Sequence, residues 1–126
     1  MLIVAAAALG LTVGGPDFNE AFARARAYSH QPKVRRYVDT VFRPTIKTDM
    51  DRILEDCFEK LNTRAALEFN IVISYRNGAP DRVLLKREAP FGRCAAERLT
   101  KIYFPPNPPV PDLAEDLDVQ IGRPRK

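Results

Sequence analysis

Few side chains in this 126-residue chain are equipped for chemistry. The single histidine, His30, lies beside Ser29 and far along the chain from any nucleophile-like partner. No glycine-rich phosphate loop occurs, and no cysteine or histidine pair stands at metal-ligand spacing. Asp112, Glu115, Asp116 and Asp118 form an acidic cluster, but it lacks the glycine and ligand alternation of a calcium loop and reads as a solvated loop. A catalytic cysteine needs an electropositive, accessible setting. Cys57 and Cys94 instead share apolar helical stripes. The expectation is a protein that is not an enzyme and carries no cofactor and no metal.

Three readings of the cysteines compete. As free thiols they are small buried hydrophobes. As a redox pair they need an exposure that helix-buried positions do not offer. As a disulfide they cross-link two helices on one sheet face, closing a loop of about 37 residues worth roughly 3–4 kcal/mol. An export-like N-terminus favours the disulfide, with a structural role.

The elements that position these residues follow from periodicity. Met50, Ile53, Leu54, Cys57, Phe58 and Leu61 recur at helical spacing after a Thr48/Asp51 capping pair, and Asn62 is a plausible terminator. Leu67, Phe69, Ile71, Ile73 and Tyr75 alternate with mostly polar residues, the period-two signal of a half-buried strand. Asn77-Gly78 then forms a tight turn, and a second strand runs from about Arg82 to Glu88. Pro90 suits a helix start, and Phe91, Cys94, Ala95, Leu99 and Ile102 form that helix's stripe. Prolines keep Phe104–Pro109 extended, and Leu117–Ile121 alternates as a last strand.

The second helix returns the chain along the sheet, so the last strand pairs with the first. The expected fold is α+β: a small αββαβ domain with a three-stranded antiparallel sheet, order 2-1-3. Two helices pack on one face, leaving Glu68, Asn70, Ser74, Arg82 and Lys86 on a wet face. The buried set should include Ile53, Leu54, Phe58, Phe69, Ile71, Ile73, Leu99 and Ile102.

Upstream, residues 1–15 form a signal-like apolar segment. Leu2–Val13 is uncharged and suits a secretory h-region, shorter than the ~20 residues of a membrane helix. Against export, no basic residue precedes the run and the positive flank follows it. The competing reading is a buried N-terminal helix of a cytosolic protein. Residues 16–47 read as a basic linker with a short helix carrying Phe18, Ala21, Phe22 and Ala25, closed at Arg43-Pro44. Within it, residues 24–47 hold Arg24, Arg26, Lys33, Arg35, Arg36, Arg43 and Lys47 against Asp39, whereas charges in 48–126 cancel. A neutral domain beside a basic linker argues against a specific nucleic-acid partner, whose site should be basic on the folded surface.

Cys57, Asn77-Gly78, Val83, Cys94-Ala95-Ala96 and Ile102-Tyr103-Phe104-Pro105-Pro106 together resemble the C-terminal domain of TonB-type energy transducers. The resemblance spans about residues 48–121 and is closest to the cysteine-containing AgmX/PglI C-terminal type. It implies a small periplasmic α/β module that binds partners, in TonB by pairing an edge strand with a receptor peptide. The chain departs from the transducers themselves. Only Pro16, Pro32 and Pro44 punctuate residues 16–47, no long proline-rich spacer is present, and there is no His-bearing anchor helix.

The expected function is therefore an exported periplasmic or envelope interaction module that binds an envelope protein or peptide strand by edge-strand addition. Its expected surface is Leu117, Asp118, Val119, Gln120 and Ile121. The alternative is a basic accessory protein that docks on anionic membrane or another polyanion through residues 24–47, with Arg35 and Arg36 in contact.

Overall fold

The computed structural model describes residues 9–61 and 67–121, with backbone alone at 67–69 and 118–121. Among the described residues, four strands form one sheet: β1 Gly10–Val13, β2 Leu67–Arg76, β3 Ala79–Leu85 and β4 Ala114–Ile121. Their order is β1-β3-β2-β4, with β1 parallel to β3 and the other pairs antiparallel. The three expected strands thus take the expected order, with β2 central. The sheet gains a fourth strand from within the signal-like segment, where Leu11 pairs with Val83 and Val13 with Leu85. Residues 1–8, 62–66 and 122–126 lie outside the described residues, and with them most of the apolar run, the Asn62 terminator and the basic residues Arg123, Arg125 and Lys126.

The β2–β3 hairpin forms because Asn77 and Gly78 both adopt positive φ, 53° and 80°, matching the twist of paired strands. The register then shifts between Ser74 and Tyr75, so that Tyr75 faces Pro80 while Ser74 faces Arg82. That bulge accommodates a proline without a ladder donor. The turn is braced by the proline-rich loop, since the Gly78 N–H donates to Pro111 O at 2.9 Å and Asn107 N–H to Gly78 O at 2.8 Å.

Helix α1, Gly15–Tyr28, corrects the expectation of one wet sheet face. Gly14 and Gly15, at φ 63° and 76°, turn the chain out of β1, and Pro16 opens the helix. Phe18, Ala21 and Ala25 bury against Val72, Leu84 and Ala114 on that second face. Asp17 and Glu20 do not form a capping box. They pair with Arg82 and Arg24 instead. Ser74 is buried and accepts a hydrogen bond from Arg24 Nη2 at 2.8 Å. The sheet is apolar on both faces, which is why Ile71-Val72-Ile73 and Val83-Leu84-Leu85 are continuous apolar runs.

The other face is covered by a long helical segment: α2 Pro32–Tyr37, a π-helical turn Val38–Phe42, and α3 Arg43–Leu61. Pro44 was expected to end an element here. A proline inside a helix lacks an N–H and crowds the carbonyl four residues back. The π turn absorbs the fault: Arg43 N–H reaches back to Val38 O, and the helix continues. Thr48 is therefore interior to α3 and caps nothing.

Residues 16–47, read as a linker, supply Val34, Val38, Phe42 and Ile46 to the main core with Ile53, Ile71, Ile73, Tyr75 and Leu99. Helix α4, Pro90–Leu99, completes that face. Of the other expected core residues, Leu54 and Ile102 are partly buried, Phe58 is 38% exposed, and the Phe69 side chain lies outside the description. Phe58 meets Phe91 only edge to face at the surface, ring centroids 6.5 Å apart.

Cys57 of α3 and Cys94 of α4 are joined in a disulfide, Cα to Cα 6.0 Å. Cys57 is fully buried, and Arg98 pairs with Asp56 at 3.1 Å beside the bridge. Among the described residues, no helix is long and apolar enough to cross a membrane.

Candidate functional site

β4 is an edge strand eight residues long, against four for β1 at the opposite edge. Its main-chain directions follow from the ladder. Tyr75 N–H donates to Leu113 O at 2.7 Å, so odd positions of β2 bond toward β4. Lys86 N–H donates to Asn70 O at 3.1 Å, so even positions of β2 bond toward β3. Antiparallel pairs alternate between bonded and non-bonded. The pairs Val72–Asp116, Asn70–Asp118 and Glu68–Gln120 are consequently the non-bonded ones, and the N–H and C=O groups of Asp116, Asp118 and Gln120 point outward.

Alongside this edge lies a groove of about 340 Å³. Its floor is Ile46, Met50 and Leu54 from successive turns of α3, with Leu117 from β4, and Arg43, Lys47 and Asp51 form its rim. From Arg43 to Leu54 a helix rises about 16 Å, the length of roughly five strand residues. The groove could receive alternate side chains of one short extended segment.

Arg43 links helix and edge. Its Nη2 donates to Glu115 Oε2 at 2.7 Å and to the outward carbonyl of Asp116 at 3.2 Å. Glu115 sits opposite Ile73 and is largely buried. Burial above all raises its pKa above the ordinary 4.5; Arg43 pulls it down, and Asp116 and Asp39 push it up. The folded chain thus holds this proton more tightly than the unfolded one. Its contribution to stability is fully present below the unfolded value and is lost as pH rises through the raised folded pKa. Glu115→Gln is expected to flatten this decline, read as the difference in urea midpoints from the parent over roughly pH 4–7. An unchanged pH profile would contradict the burial of this carboxyl.

The structure divides the acidic cluster. Asp112 accepts from the Tyr28 hydroxyl on α1, an interaction that raises the tyrosine pKa, whereas Glu115 turns to Arg43. The basic residues are divided as well. Arg24 is held by Glu20, Ser74 and the Asp112 carbonyl, Arg43 by Glu115, and Lys47 by Asp51 at 2.9 Å. Arg26 lies 5.7 Å from the Phe22 ring centroid. Arg35 and Arg36 are exposed on α2.

Of the expected partner surface, Leu117 is buried in the core with Ile71, and Asp118–Ile121 are placed by their register. The groove adds Ile46 to the expected residues and places Arg43, counted with the basic linker, at its rim. The stripe of Met50 and Leu54 extends back to Ile46 at four-residue spacing, a signal that competes with the Thr48/Asp51 capping pair for the helix start.

Comparison with protein-family models, with curated proteins and with solved structures returns no match.

Proposed function

We propose that this chain is a non-catalytic interaction module that binds an extended segment of a partner by strand addition at β4. The observation that carries the reading is one edge combining outward main-chain groups at Asp116, Asp118 and Gln120 with an apolar groove beside them. Main-chain bonds to the edge supply affinity, and alternate side chains entering the groove supply selectivity. The disulfide and the TonB-like motifs support placing the module in the bacterial envelope or periplasm, where such bridges persist.

The second reading, docking of residues 24–47 on an anionic membrane or polyanion, keeps Arg35 and Arg36 as its contacts. Internal ion pairing of Arg24, Arg43 and Lys47 leaves that surface fewer available charges than the sequence count suggests.

Quantitative pull-downs from envelope extracts separate the two. Asp118→Lys should lower recovery of the partner several-fold, while Arg35→Glu with Arg36→Glu leaves it unchanged. Binding should persist in moderate salt, which screens exposed charge beyond about 8–10 Å. Loss with the arginine pair alone, together with collapse in salt, would overturn the strand-addition reading. Mass spectrometry of the mature protein from cell fractions tests export: the protein should be found in the envelope fraction with Cys57 and Cys94 cross-linked.

A further inference from the structure

Resting on the reading of β4 as the partner strand, we infer that the segment it accepts is basic, an extended stretch alternating lysine or arginine with apolar residues. A second copy of this chain does not meet that requirement. The antiparallel register that pairs Asp116, Asp118 and Gln120 of two copies with one another sets Asp118 opposite Asp118. Like charges directly opposite one another across a ladder are destabilising. The same acids that exclude a copy favour a cation.

The charge around the edge is acidic on balance. Glu115, Asp116 and Asp118 lie on β4 itself, and the field of Asp39 reaches Glu115. Among the described residues, the two cations that line the groove are paired, Arg43 with Glu115 and Lys47 with Asp51. Arg43 also shows what the edge accepts. A guanidinium N–H from this chain sits on the outward Asp116 carbonyl with a carboxylate beside it. A basic strand repeats that combination along the ladder, main-chain N–H to carbonyl and cation beside acid, while its apolar side chains cover Ile46, Met50, Leu54 and Leu117.

The test uses the full chain and three short acetylated fluorescent peptides. One alternates valine and lysine, one alternates valine and glutamate, and the third is the lysine peptide N-methylated at every second amide. Anisotropy reads affinity, and amide hydrogen exchange reads the site. The lysine peptide is expected to bind about tenfold or more tightly than the glutamate peptide and to slow exchange at Asp118 and Gln120. The N-methylated peptide keeps the charge but loses the donors, and should not bind. Asp118→Lys should erase the preference for lysine. Equal binding of the glutamate peptide with the same amides protected would overturn the basic-partner inference and leave strand addition standing. Equal binding of the N-methylated peptide, binding without protection at β4, or no binding at all would overturn strand addition itself. Protection of those amides in a dimer without peptide would make a second copy the occupant.

Discussion

Phe42→Ala is expected to cost about 3–5 kcal/mol of folding stability, the range for emptying a well-packed aromatic site. Phe42 is fully buried, stacked on Phe104 at 5.9 Å between centroids and tilted against Tyr75 at 6.4 Å. Those partners come from the loop after α4 and from the central strand, so the ring ties three parts of the chain together. Tyr75 in turn donates its hydroxyl to Pro105 O at 2.6 Å, and burial pushes its phenol pKa upward. Truncating Phe42 leaves space that a proline-braced loop and a central strand cannot readily close. Val41, one residue earlier in the same π turn and 39% exposed, is the control: Val41→Ala should change stability by less than about 0.5 kcal/mol. Urea denaturation of the two variants checks both values. Similar small losses would mean that residues 16–47 are a linker after all.

Cys94→Ala is expected to cost about 3–4 kcal/mol, because the 37-residue separation makes the bridge an effective constraint on the unfolded chain. Cys94 is the cleaner probe because it is only partly buried, whereas replacing the fully buried Cys57 also removes packing. Most of the penalty should reappear when the parent is reduced, since reduction removes the cross-link and keeps the side chains. The Asp56–Arg98 pair remains in both cases, but an ion pair this exposed contributes at most about 1 kcal/mol. Thermal and urea unfolding with and without reductant give the comparison. A loss under about 1 kcal/mol would mean that α3–α4 packing alone holds the two helices together.

The hairpin and the cysteine-bearing helices were legible because each rests on a local rule. Asn77-Gly78 fits one turn geometry, and the stripes around Cys57 and Cys94 have helical period. The order β3-β2-β4 followed from direction alone. The features that escaped are decided by tertiary contact. Val72 and Leu84 sit at positions that alternation assigns to solvent, and their being apolar was the one sign that a helix covers that face. Leu11 and Val13 belong to a run whose composition suits a secretory h-region, and their place in the sheet rests on pairing with β3, a contact remote in sequence. Pro44 obeyed the local rule against mid-helix proline, yet a π turn resolved the conflict without ending the helix. The groove escapes for a related reason, because a helix that starts at a Thr48 cap leaves Arg43 and Ile46 outside it.

The most direct test of strand addition is photo-crosslinking in the envelope, with a photoreactive residue placed in turn at 116, 118, 120 and 36, and the products mapped by mass spectrometry. The result expected is that 116, 118 and 120 each capture one partner segment at residues spaced two apart and in consistent order, while 36 captures none of it. Such spacing is the signature of a paired strand. Capture of lipid or protein from 36 alone, or contacts from β4 scattered without order, would contradict the reading of β4 as the binding edge.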